Sequence, residues 1–94
     1  MSDAWKKALE FAALPGAARV RFARQNLVEE GTPTVRYSLR SETESGEAIG
    51  DDRDYDLLKA AMSPLEKLAE QCDHEQLMLE LDLKTGCLNG PSTR

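Results

Sequence analysis

The chain has 94 residues, 40% hydrophobic and 31% charged, with a net charge of −5. That length supports one domain, residues 1–94, with a modest core, and the composition is globular rather than disordered. No apolar run approaches the ~20 residues a membrane span needs, and the net acidity argues against a phosphate-binding surface.

The N-terminal MSDAWKKALEFAAL lacks the basic start, continuous apolar stretch and cleavage site of a secretory signal, so none is expected. Cys72 and Cys87 can pair in principle but make no disulfide framework. A reduced, cytoplasmic protein is the expectation. Charge is unevenly spread. Residues 1–40 hold seven basic and four acidic groups, a balance of +3, and residues 41–94 hold five and thirteen, a balance of −8. Such halves either close on each other in the fold or present two faces to partners.

Ser2 or Asp3 can cap a helix over Ala4–Leu14, where Trp5, Ala8, Leu9 and Ala12 form one apolar stripe that Pro15-Gly16 ends. Trp5 reads as a core anchor, with a partner-facing role as the alternative. ARVRFAR then alternates Ala18, Val20 and Phe22 with Arg19 and Arg21. TVRYSLR alternates Val35, Tyr37 and Leu39 with Arg36, Ser38 and Arg40. Gly31 and Pro33 supply a reversal between them, so the pair reads as an antiparallel hairpin, its arms extended through NLV by a phase-keeping bulge.

Glu44-Ser45-Gly46 reads as a second turn and Glu47–Gly50 as a short third strand. Asp51, Asp52 and Asp54 precede a helix starting near Tyr55, where carboxylates cap free N–H groups and meet the helix dipole. Leu58, Ala61, Met62, Leu65, Leu68, Ala69 and Cys72 hold one face of that helix. Ser63-Pro64-Leu65-Glu66 both interrupts it and resembles a helix start, which predicts a kinked helix or two helices end to end. LMLELDLK places Leu77, Leu79, Leu81 and Leu83 on one side of a last strand. Thr85-Gly86 is a turn, Cys87-Leu88 a brief edge strand, and residues 89–94 a frayed tail.

The order helix, strand, strand, short strand, helix, strand predicts an α+β domain, its helices on one face of a mainly antiparallel sheet. The opposite face then carries Arg19, Arg21, Arg36 and Arg40. If the last strand lies beside the hairpin, Glu80 and Asp82 pair with them across strands. Otherwise that face can grip a partner.

Motifs for catalysis are lacking. The single histidine, His74, falls in the turn-like CDHEQ, and no serine occupies a nucleophile elbow. Cys72, His74 and Cys87, with Asp73 or Glu75, make a loose set for zinc, without the close cysteine pairs such sites use. DDRDYD is faintly like a calcium loop but has no glycine at its sixth position and Met62 at its twelfth. No phosphate-cradling glycine loop occurs. These features predict no cofactor and no metal. A small enzyme stays open only through a carboxylate of raised pKa.

The densest feature is SETESGEAIGDDRDYD, seven carboxylates and one arginine in sixteen residues. Capping accounts for Asp51, Asp52 or Asp54, but not for Glu42, Glu44 and Glu47, which repel one another around the turn. Either the stretch is a solvated tip, or it is an anionic patch that steers a basic protein partner. In the second reading Glu42, Glu44, Glu47, Asp51, Asp52, Asp54 and Asp56 meet the partner's cations. Tyr55 is then an anchor rather than the first core residue of its helix.

The layout resembles that of small bacterial immunity proteins of the YezG-like type, which neutralise nuclease toxins. They too open with a helix, continue with a hairpin like ARVRFAR and TVRYSLR, place acids before a helix, and close on a strand like LMLELDLKTGCLNG. The resemblance covers most of the chain in element order without a diagnostic motif, and the chain is short for that group. It implies an acidic surface set against a basic toxin. The leading expectation is therefore a non-enzymatic inhibitor or regulator of a basic protein, such as an immunity protein or antitoxin. One alternative is a nucleic-acid module using Arg19, Arg21, Arg36 and Arg40, although Phe22 and Tyr37 fall on the wrong phase for base stacking. Another is a homodimer in which the basic face of one copy meets the acidic turn of the next.

Overall fold

Trp5, Ala8, Leu9 and Ala12 recur every three or four residues, and the helix they specify, α1 (Ser2–Ala12), buries all four. The chain takes the form of β1 (Arg19–Glu29), β2 (Thr32–Glu42), α2 (Tyr55–Glu70), β3 (Leu77–Asp82) and β4 (Leu88–Thr93) after it. In this computed structural model residues 2–72 and 76–93 are described, Ser2 and residues 91–93 by backbone alone. The fold is α+β. One antiparallel sheet has the order β2-β1-β3-β4, and the helices pack on one face of it.

α1 begins at Ser2, so Ser2 and Asp3 lie within its first turn, where Asp3 meets the positive end of the dipole. It stops at Ala12 rather than Leu14. The Leu14 N–H leaves the helix pattern and donates to the buried Ser41 hydroxyl at 3.1 Å. The hairpin keeps one register from Arg19 opposite Glu42 to Glu29 opposite Thr32, without the bulge expected at NLV. None is needed, because Val28 is already in phase with Val20 and Phe22. The arm also outruns the helices, leaving Val28 75% exposed, so no core penalises either phase there. Glu30 (φ 51°) and Gly31 (φ 80°) close the hairpin with left-handed conformations at both positions, as a type I′ turn requires.

α2 runs unbroken through Pro64, with Ala61, Leu65 and Ala69 buried on both sides of it. That packing holds the helix together, and Ser63–Glu66 does not start a new one. The expected third strand at Glu47–Gly50 touches the sheet through one bridge, Glu42 opposite Ala48. The segment read as a frayed tail instead continues β4 as an edge strand on β3. Its register shifts between Met78 and Glu80, and Pro91 lies on the edge, where a missing N–H is tolerated.

The core joins both helices to one sheet face. Phe22 sits between Trp5 (6.1 Å between ring centroids) and Tyr37 (5.8 Å, stacked), with Leu77, Leu79 and Leu81 beside it and Leu65 and Ala69 from α2. Among the described residues no helix is long and apolar enough to cross a membrane.

The turn yields a test. Glutamate is a poor occupant of the left-handed region and asparagine a good one. Glu30→Asn is expected to raise unfolding stability by about 1 kcal/mol, read as a higher urea midpoint at constant slope.

Candidate functional site

The sheet face away from the helices carries Arg19, Arg21, Arg36 and Arg40. Antiparallel register sets Arg21 opposite both Arg40 and Glu80, and Arg19 opposite both Glu42 and Asp82. Arg21 and Arg40 would repel as a directly opposed pair. Glu42 offsets this: its carboxylate lies 2.7 Å from Arg40 Nε, 3.8 Å from Arg19 Nε and 3.8 Å from Arg21 Nη2. Its side chain is only 7% exposed. Glu80 adds a second carboxylate, 3.3 Å from Arg21 and 3.9 Å from Arg19. Arg36 pairs with Glu29 at 2.7 Å, out along the hairpin arm. Asp82 joins no arginine among the described residues. Its Oδ1 accepts the N–H groups of Lys84 and Thr85 and shapes the β3–β4 turn.

The acidic turn folds back onto this face. The Thr43 N–H donates to Glu47 O, and the Ile49 N–H to Ser41 O, which covers the end of the β2 edge. Arg19 Nη2 reaches the carbonyls of Thr43 (3.4 Å) and Glu44 (3.5 Å), and Arg40 Nη2 that of Gly46 (3.3 Å). Gly46, at φ 88°, lets the turn close, and Glu44 pairs with Lys84. The basic face and the acidic turn thus meet within one chain.

Residues 51–54 lead into α2 and hold it to the end of α1. Arg53 holds the Asp51 carboxylate through three hydrogen bonds, from Nη2 (2.7 Å), Nε (3.0 Å) and its backbone N–H (3.1 Å), while its Nη1 donates to Ala12 O, at the end of α1, at 2.9 Å. That hydrogen-bonded pairing draws the Asp51 carboxyl below its ordinary pKa and raises that of Arg53. Arg24 does for α2 what Arg53 does for α1, donating to Ala69 O at 3.1 Å. Asp54 is the cap, accepting the Leu57 N–H at 2.9 Å.

The eight residues read as a partner-binding patch therefore divide. Glu42, Glu44, Asp51 and Asp54 have partners inside the chain. Glu47, Asp52 and Asp56 form no ion pair among the described residues, and Asp52 and Asp56 are exposed. Tyr55 is 76% exposed and so is not a core residue. The buried part of α2 starts only at Ala61. Tyr55, Leu58, Lys59, Met62 and Glu66 instead line an open hollow of about 240 Å³ on the outer flank of α2. A second hollow of about 230 Å³, lined by Ala18, Arg19, Glu44, Asp82 and Lys84, has two cations and two anions that cancel.

The loose zinc set is only partly visible. Cys72 is half-buried and Cys87 exposed, both as free thiols, whereas Asp73, His74 and Glu75 lie outside the described residues. In the calcium-like loop, Asp51 turns to Arg53 and Asp54 to the α2 backbone.

The role of Glu42 was missed in the sequence although a signal existed. It continues the phase of Arg36, Ser38 and Arg40, the one acid in that series. Removing a buried partner of an ion pair costs several kcal/mol, reduced here because the three arginines are a third to a half exposed. Glu42→Ala is expected to destabilise by about 2 kcal/mol and Glu47→Ala by less than about 0.5 kcal/mol in chemical denaturation. Asp51 supplies a pH signature. Because its folded-state pKa is lowered, its contribution is complete above the unfolded-state value and lost as pH falls through the folded one. Asp51→Asn should flatten the fall in stability below about pH 4, measured by thermal melts across acid pH. No protein-family model, curated protein or solved structure matches the chain.

Proposed function

We propose that the chain is a non-enzymatic, cytoplasmic binding protein that inhibits or regulates a basic protein partner, with a bacterial immunity protein or antitoxin as its most concrete form. The carrying observation is the set Glu47, Asp52, Tyr55 and Asp56, carboxylates without a described ion pair beside an aromatic ring outside the core. Asp56, in the first turn of α2, meets the positive end of the helix dipole, which still leaves its carboxylate and those of Glu47 and Asp52 exposed. Clustered acids raise the association rate with a cationic surface, and an exposed ring can carry interface energy once the surfaces meet. The partner's active face would be blocked by occlusion. Glu42, Asp51 and Asp54 act in this reading as the frame of the surface.

The nucleic-acid reading has less support, because Arg19, Arg21, Arg36 and Arg40 each have a carboxylate neighbour and the aromatic rings near them lie on the other face. The homodimer reading loses its motive, since the complementarity it invoked is satisfied inside one chain.

The test compares wild type with a Glu47→Ser/Asp52→Ser/Asp56→Ser variant as bait in a lysate of the native host, at low and moderate salt. The variant should melt at the wild-type temperature and lose a basic protein that the wild type retains. Association of that protein, once purified, should slow about tenfold at low salt. Retention of the same proteins by both baits would remove the basis for this reading.

A further inference from the structure

Strand β4 carries a reactive pair that neither the arginine face nor the acidic turn uses, Asn89 followed by Gly90. A backbone amide nitrogen that follows asparagine can attack the side-chain amide and close a cyclic imide. Glycine offers the least crowded nitrogen for this, because it has no Cβ. The chain has two asparagines, Asn26 before Leu27 and Asn89 before Gly90, so only the second has this arrangement.

The fold leaves that nitrogen open. Asp82 donates its N–H to Cys87 O at 2.9 Å, and Leu81 and Glu80 continue the same register opposite Leu88 and Asn89. Bonded positions alternate along such a ladder, so Glu80 and Asn89 are the next bonded pair. The Asn89 C=O therefore points to β3, and the Gly90 N–H, across the same trans peptide, points away from it. β4 is the last strand of the sheet, with no neighbour on that side among the described residues. Directly after Asn89 the ladder slips. Gly90 and Pro91 together span the place of Leu79, and Gly90 takes φ 112°. Rotation of the Asn89–Gly90 peptide for the attack thus gives up the bond to Glu80, with no regular ladder immediately beyond it. Asn89 and Gly90 are exposed, so water and hydroxide reach both. Asn26 differs in each respect: it is half-buried, its Oδ1 is withdrawn from solvent, and it lies within the unbroken β1–β2 register opposite Val35.

We propose that Asn89 is a self-modification site that converts to isoaspartate and thereby releases the end of β4 from the sheet. Hydroxide takes the Gly90 amide proton, and the nitrogen forms a bond to Asn89 Cγ. The Cγ–Nδ2 bond breaks, and the leaving nitrogen takes a proton from water to depart as ammonia. Water then opens the imide at either carbonyl. Opening at Cγ gives aspartate. Opening at the main-chain carbonyl gives isoaspartate, whose backbone runs through the former side chain and is longer by a methylene. Residues paired directly across strands share a face, so either product adds a carboxylate beside Glu80, where like charges repel. The longer backbone of isoaspartate also breaks the register between Asn89 and Glu80.

The test incubates the native protein at neutral and at mildly alkaline pH. Peptide mass spectrometry follows each asparagine, and an isoaspartate methyltransferase with a labelled methyl donor reports isoaspartate. Asn89 should be lost, with isoaspartate in excess over aspartate and a rate that rises with hydroxide concentration, while Asn26 stays intact. In the aged protein amide exchange at Glu80 should quicken while Phe22 stays protected. Asn89→Gln, whose longer side chain disfavours the ring closure, should keep Glu80 protected through the same incubation. An intact Asn89 after a time in which the urea-unfolded chain has converted overturns the site. So does equal loss at Asn26, or aspartate without isoaspartate. Isoaspartate at position 89 with Glu80 still protected overturns the release of β4.

Discussion

One buried carboxylate, Glu42, sets the arrangement of this molecule. Two strands present arginines to the same face, and the register brings Arg21 and Arg40 into direct opposition. Without an anion between them that face would repel itself. Glu42 sits among Arg19, Arg21 and Arg40, and its backbone is engaged along with its side chain. Its carbonyl accepts the Ala18 N–H at 2.8 Å, and the residue bridges to Ala48. The neighbouring Ser41 hydroxyl takes the N–H of Leu14. Two adjacent residues therefore tie together the exit of α1, the start of β1 and the acidic turn. Each surface ion pair is worth only about 0–1 kcal/mol, but a carboxylate withdrawn from water among three guanidinium groups is not such a pair.

The same logic divides the acidic stretch. Charge that looks redundant in sequence is partly consumed in holding elements together. Glu42 and Glu44 fix the turn to the sheet and to Lys84, Asp51 orients Arg53, and Asp54 starts α2. Arg53 and Arg24 then close the C-terminal ends of α1 and α2, where the last carbonyls of a helix have no partner within it. Subtracting these duties leaves a small surplus, Glu47, Asp52 and Asp56 with Tyr55, at the turn and the start of α2. The functional proposal depends on that surplus, and it is smaller than the whole stretch.

Much of the fold was legible because period and phase are local properties. Trp5 to Ala12 fixed α1, the alternations around Phe22 and Tyr37 fixed the hairpin, and the leucines of LMLELDLK fixed β3. The arginine face and its neighbour Glu80 followed from the same alternation. What escaped was set by tertiary contact. Glu42 is buried because a turn folds over it, not because of its neighbours in sequence. Tyr55 has the spacing of a core residue but lies beyond the reach of the sheet. β4 carries Gly90 and Pro91, which read as tail, and becomes a strand only because β3 offers it an edge. Pro64 reads as a break and is overridden by Ala61, Leu65 and Ala69 packing on either side of it.

The acidic turn, on this account, is docked on the arginine face rather than solvated. Amide hydrogen exchange tests that most directly, residue by residue, in the native protein. Docking requires slow exchange at Thr43 and Ile49, whose N–H groups donate to Glu47 O and Ser41 O, approaching the protection of the β1–β2 ladder. Exchange at those two amides as fast as in an unstructured peptide, with the ladder still protected, would contradict the account and return the stretch to a solvated loop.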